Sequence, residues 1–182
     1  KQISRVVEIL LDTASANNAT IHSLVGDSLH VTVSAVSRTG HADVKALRFL
    51  TTCDALIKKE IADWSKEDHH NKRLTSVSPN QMLITGAVVN SRGYCGVFGN
   101  DKRQQFLMFG FSDSDLMSSM HDVGVKNNML LCCRTIQQNT NYENEFRGAG
   151  VVDVFSQAHP TSSSTKTSVV SHPIYEFVHR KN

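Results

Sequence analysis

Residues Gln81 to Ser112, QMLITGAVVNSRGYCGVFGNDKRQQFLMFGFS, are where apolar runs, tight-turn residues and the only Gly-rich segment of the chain coincide. That coincidence leaves few ways to fold the stretch. Met82 to Val89 is apolar enough for a strand buried on both faces, and Asn90-Ser91-Arg92-Gly93 supplies residues that tolerate turn dihedrals. A second apolar run, Tyr94 to Phe98, ends at Gly99-Asn100-Asp101-Lys102, and a third runs from Gln104 to Phe111. The simplest expectation is an antiparallel meander of three strands. The rest of the chain must then cover its faces or extend its edges.

The flanking segments carry clear periodicities. Ile3, Val6, Val7, Leu10, Leu11 and Ala14 recur at helical spacing, with Arg5, Glu8 and Asp12 between them, so an amphipathic helix is expected up to Asn17-Asn18. Leu29 to Val36, LHVTVSAV, alternates and is β-branched, which predicts a strand. Ala46, Phe49, Leu50, Cys53, Ile57, Ile61 and Trp64 line one face of a long helix from about Asp43 to Trp64. A polar connection, Ser65 to Asn80, follows it. Ser112 to Asp115 offers caps for a short helix ending near Gly124. Met129 to Ile136, Gly150 to Phe155 and Val169 to Val178 have strand character, with Pro173 predicting an edge or bulged position for the last of them. The expectation is one α+β domain over residues 1–182. Its sheet is mainly antiparallel with a central three-strand meander, covered by an N-terminal helix and one long amphipathic helix.

Composition narrows the function classes. With 40% hydrophobic and 20% charged residues, a chain of this length can bury a core. A net charge of +2 gives no support for nucleic acid or a membrane surface as partner. Cys53, Cys95, Cys132 and Cys133 show no CxxC spacing and sit in apolar runs, which predicts free thiols in a reducing compartment, the cytoplasm. No apolar run is long enough to span a membrane, and no secretory h-region is visible. His69-His70 with Glu67 and Asp68 reads as a solvated loop rather than a metal site. Lys72-Arg73 and Lys102-Arg103 lack interleaved aromatic platforms, and Gly93 to Gly99 contains neither GxGxxG nor GK[ST]. No metal and no cofactor is therefore expected.

Three short similarities bear on chemistry. Arg92-Gly93-Tyr94-Cys95-Gly96 resembles the segment around the nucleophile of chymotrypsin-like viral cysteine proteases, which would make Cys95 a nucleophile needing a histidine base. His30-Val31-Thr32-Val33 resembles one of the two H-x-[ST]-hydrophobic motifs of the 2H phosphoesterases, which implies an acid and base pair acting on cyclic or 2′,5′-linked nucleotides. The second motif of that family is not met at Met129 to Arg134, which holds no histidine. His159-Pro160-Thr161-Ser162 matches its letters in an expected loop. The strand, loop and long helix from Leu29 to Trp64 also look like the core of negative-strand RNA virus matrix proteins, which implies self-association. No complete active site emerges, and the candidate catalytic residues are His30, Thr32 and Cys95. The sequence reading is accordingly a non-enzymatic interaction or assembly module of viral matrix type, with a protein partner or homo-oligomer. Its alternative is a 2H-type phosphodiesterase using His30 and Thr32.

Overall fold

The computed structural model describes residues 2–67, 84–140, 144–157 and 167–179. They fall into two compact units, Lys1–Ile84 and Thr85–Asn182. Among the described residues there are four helices and mostly antiparallel strands, an α+β fold. No described helix is long and apolar enough to cross a membrane.

The first unit is a hairpin on two helices. Helix α1 (Gln2–Ala16) ends where Asn18 takes a φ of 50°, and the Asn17 side-chain amide donates to the Thr13 carbonyl at 2.8 Å. Strands β1 (Ala19–Val25) and β2 (Ser28–Val33) pair antiparallel around the two-residue turn Gly26-Asp27, closed by the Val25 and Ser28 pair. Gly26 sits at φ +63°, where a glycine at the first turn position matches the twist of the strands. Helix α2 (Ala42–Glu67) covers the span that its apolar spacing predicts. Ala19, Ile21, Leu29 and Val31 on one face of the hairpin pack against a buried cluster of Ala14, Phe49 and Cys53. Burying a side chain such as Phe49 contributes roughly 1.5–3 kcal/mol. The Asp54 carboxylate of α2 is satisfied twice, accepting from the Ile84 amide at 3.3 Å and pairing with Lys58 at 2.7 Å.

Strand β1 is not anticipated by the sequence reading. Its alternation is broken at His22, an extra residue between the Ile21–Val31 and Ser23–His30 pairs, and this bulge shifts the period that would reveal the strand.

The second unit is built on a four-stranded sheet in the order β3-β6-β8-β7, from β3 (Gly86–Val88), β6 (Leu130–Cys133), β7 (Asn144–Gln157) and β8 (Thr167–His179). Here the expected three-strand meander is corrected. β4 (Tyr94–Asn100) and β5 (Arg103–Phe109) form their own antiparallel ribbon, whereas β3 leaves it and pairs parallel with β6. A parallel pair needs a long crossover, and β4, β5 and helix α3 (Ser114–Asn127) supply it. Helix α3 comes so close to β3 that a Cβ on Gly124 would lie 3.0 Å from the Gly86 carbonyl oxygen. The helix closes at Asn128, left-handed at φ 58°, and the Met129 amide donates back to Gly124 at 2.8 Å. Strand β6 is buried along its whole length and runs directly into α4 (Arg134–Thr140), so the expected strand to Ile136 is shorter and ends in a helix.

Of the two positions expected for Pro173, the bulged one is close to what is found, the β7 register shifting between Gly148 and Gly150 beside the Val151–Pro173 pair, whereas an edge strand does not describe β8 as a whole. Strand β8 is internal and β7 is the edge. Pro173 pairs with Val151 of β7, and the β6 pairing begins only at Ile174, so the missing N–H removes no bond to β6.

Candidate functional site

Two surfaces bring polar groups together, one in each unit. In the first unit the apolar face of the β1–β2 hairpin is turned to α1 and α2. Thr20 pairs with Thr32 and Ser23 with His30, which sets a polar row on the other face. The bulge brings His22 onto this row, where its Nε2 shares a 2.5 Å hydrogen bond with Thr32 Oγ1. Partial burial, and then the positive charge that His30 carries when protonated, lower the His22 pKa below the ordinary imidazole value. Asp27 stands exposed in the turn at the end of the row. Of the sequence candidates, His30 and Thr32 thus share one face, and they are joined by His22 and Asp27. The overlooked signal for Asp27 is Gly-Asp between apolar runs, a short-range mark of a hairpin.

In the second unit a cleft of about 520 Å³ opens between the start of α3 and the outer part of β7–β8. Asp113, Asp115, His172, Leu116, Phe155 and Val170 line it. Ser112 and Asp113 are tied back to the preceding loop, the Asp113 amide donating to Ser91 Oγ at 3.2 Å and the Arg92 amide to Ser112 Oγ at 3.3 Å. Among the described residues that line the cleft there is no Lys or Arg. It therefore suits positive or apolar groups better than a phosphate.

Cys95 is exposed on β4 opposite Met108 and is not among the residues lining the second unit's cleft. Cys53, Cys132 and Cys133 are buried. Burial pushes the Cys53 thiol up to about 11, against a smaller lowering by a hydrogen bond with Thr13, and burial followed by the neighbouring Cys133 raises Cys132 as well. His69 and His70, the Lys72-Arg73 pair and the His159 segment lie outside the described residues. Among the described residues no three His, Cys, Asp or Glu side chains converge as a metal site, and no metal-dependent step is derived for this chain.

Neither a protein-family model nor a curated relative matches the chain. Solved structures do. The chain is similar to the adenylyl cyclase CyaB from P. aeruginosa, with a TM-score of 0.65 and 16% identity, over 99% of this chain and 82% of that one. It is similar to the guanylate cyclase domain of RhGC from Catenaria anguillulae, solved in complex with GTP (TM-score 0.58, 14% identity, 99% and 83% covered). A third similar structure is a non-canonical dimeric guanylyl cyclase domain of the RhoGC fusion protein from the aquatic fungus Blastocladiella emersonii (TM-score 0.56, 12% identity, 99% and 84% covered). At these identities the likeness shows the fold, that of nucleotide cyclase domains.

This finding corrects the functional reading of the sequence. An assembly module of viral matrix type and a 2H-type phosphodiesterase are both displaced by a cyclase-like fold spanning 99% of the chain. Local geometry gives the physical reason in the second case. A 2H site needs histidines on two facing strands, but β6 is buried throughout and holds none, and the histidine beside His30 lies on the same hairpin.

Proposed function

We propose that this chain is a nucleotide cyclase domain, converting a purine nucleoside triphosphate into its 3′,5′-cyclic monophosphate. The observation that carries the reading is the similarity to both adenylyl and guanylyl cyclases over nearly the whole chain. The match runs across both units, which supports their acting as a single domain of 182 residues. In the reaction the ribose 3′-oxygen bonds to the α-phosphorus, the bond from that phosphorus to the bridging oxygen breaks, and pyrophosphate leaves. The hydroxyl proton passes to a base. Catalysis of this kind rests on positioning and on charge stabilisation.

The polar face of the β1–β2 hairpin is our choice for the groups that meet the nucleotide. The two-residue turn holds the Asp27 carboxylate at a defined exposed place, and His30 and Thr32 lie on the row behind it. The described lining of the second unit's cleft carries the carboxylates of Asp113 and Asp115 and no Lys or Arg, which does not favour a triphosphate there. A homo-oligomer is part of the reading, since a structure similar to this one is described as dimeric. Buried free thiols at Cys53, Cys132 and Cys133 favour a reducing, cytoplasmic setting.

The test is direct. The purified protein is incubated separately with ATP and with GTP in the presence of Mg²⁺ or Mn²⁺, and products are separated by liquid chromatography with mass detection. Equal amounts of cyclic nucleotide and pyrophosphate from one of the two are expected. Absence of cyclic product from both overturns the reading.

A further inference from the structure

A cyclisation needs a group that takes up the proton of the attacking hydroxyl, and one pair of side chains in the first unit is arranged for such a transfer. On the polar face of β1–β2 the His22 Nε2 and the Thr32 Oγ1 share a hydrogen bond of 2.5 Å, at the short end of the range for a hydroxyl and an imidazole. The contact is a product of the bulge. In a regular ladder Thr32 faces only Thr20, and the extra residue between the Ile21–Val31 and Ser23–His30 pairs is what brings an imidazole to it. Both side chains are half-buried, and neither belongs to the apolar cluster of Ala14, Phe49 and Cys53 under the hairpin.

A threonine bonded to a histidine across a hairpin is often no more than a cross-strand contact that supports the register. Here the register is already set by six backbone pairs and by the Gly26 turn, so the contact is not needed for that purpose. The surroundings also keep the imidazole ready to receive a proton. Burial, and then the charge of His30, lower its pKa below the ordinary value, so His22 is neutral at neutral pH. His30 of β2 and Asp27 of the turn are the other titratable groups of this face. Asp27 stands five positions along the strand from Thr32, roughly 17 Å, and does not compete for the same proton. Helices α1 and α2 meet the opposite face through the apolar Leu10, Ala14, Phe49, Leu50 and Cys53.

We propose that His22 is a positioning residue for the cyclisation, drawing the proton of the ribose 3′-hydroxyl away through the hydroxyl of Thr32. The inference rests on the nucleotide cyclase reading and supplies the base which that reading leaves unnamed. As the 3′-oxygen bonds to the α-phosphorus, its proton moves to Thr32 Oγ1 and the proton of Thr32 moves to His22 Nε2. The electron pair of the breaking phosphorus–oxygen bond leaves with pyrophosphate, and His22 then returns its proton to water. The test measures kcat and KM for cyclic nucleotide formation from about pH 5 to about pH 8.5, with whichever of ATP and GTP the parent converts. In the parent, kcat is expected to fall about tenfold per pH unit on the acid side of a single pKa below the ordinary imidazole value of about 6.5. His22→Gln keeps a hydrogen-bonding group but takes up no proton. It is expected to lower kcat by about a hundredfold, leave KM within about twofold and remove the acid limb. Thr32→Val is expected to match it, with the double variant no slower than either single one, because the two side chains act as a unit. Thr32→Ser, which keeps a hydroxyl for the transfer, recovers most of what Thr32→Val loses. A parent that forms cyclic nucleotide while His22→Gln retains its kcat or its acid limb overturns this inference and leaves the cyclase reading standing, as does a Thr32→Ser variant as slow as Thr32→Val. A parent that forms no cyclic nucleotide overturns both.

Discussion

Among the described residues, β1–β2 and β4–β5 are antiparallel hairpins of similar length, each closed by a two-residue turn, and they are used in opposite ways. In β1–β2 the apolar residues share one face and are buried on Phe49 and Cys53, so the other face is free to be polar and holds Thr20, His22, His30 and Thr32. In β4–β5 Tyr94, Val97, Phe98, Leu107 and Phe109 remain exposed while Phe106 and Met108 are half-buried, and the rings of Tyr94, Phe98 and Phe109 touch one another. Strand pairing alone therefore does not decide what a hairpin does. A hairpin backed by helices can afford a chemical face, and one without backing offers its apolar surface to whatever meets it.

The contrast can be broken at several points. The largest expected effect is on stability. Phe49→Ala under the first hairpin should cost about 3–5 kcal/mol, whereas Phe98→Ala on the second should stay within about 0.5 kcal/mol. Chemical denaturation of both variants checks this, and equal losses would mean that the second ribbon is part of a core. Next comes thiol reactivity. With its pKa pushed up to about 11, Cys53 holds roughly a thousandth of its thiol as thiolate at pH 8, and burial also shields it. Cys95 should take up iodoacetamide first in the native protein, as followed by peptide mass mapping. Early labelling of Cys53 would show that the first hairpin opens readily.

A smaller effect is expected on turnover. Asp27→Asn should lower cyclic nucleotide formation by about tenfold or more while the protein remains folded, consistent with loss of one charged contact. Unchanged turnover would remove the hairpin face from the reaction. The smallest effect is a pH dependence. The folded pKa of His22 is lowered by burial and then by His30, so the unfolded chain binds its proton more tightly. The contribution of His22 to stability is unaltered above the unfolded imidazole pKa, about 6.5. It is lost as the pH falls through that value. Melting temperatures from pH 7.5 to 5.5 should decline less steeply for His22→Gln than for the parent, and parallel slopes would exclude the effect.

The proposed hairpin face was only partly legible in the sequence. His30 and Thr32 stood out because a β-branched alternating run is a local pattern. His22 did not, because it reaches Thr32 only through a bulge in a strand whose period it breaks. Asp27 was legible in principle, since a Gly-Asp turn between apolar runs is a short-range signal. The cleft was not, because it joins residues near 115 to residues near 155 and 172.

The amino-acid order alone determined the elements whose evidence lies within a few turns of chain: helix α1, helix α2 with its apolar stripe from Ala46 to Trp64, and the β4–β5 ribbon with its Asn100 turn. Tertiary structure decided which strand Gly86–Val88 would join, that β8 would be flanked on both sides, and that the fold would be similar to that of solved nucleotide cyclase domains. The reason is one of range. Periodicity reports which face of an element is apolar, but an apolar strand is equally satisfied by several neighbours. The choice among them comes from how α3 packs on β3 at Gly124 and how β6 fills the middle of its sheet.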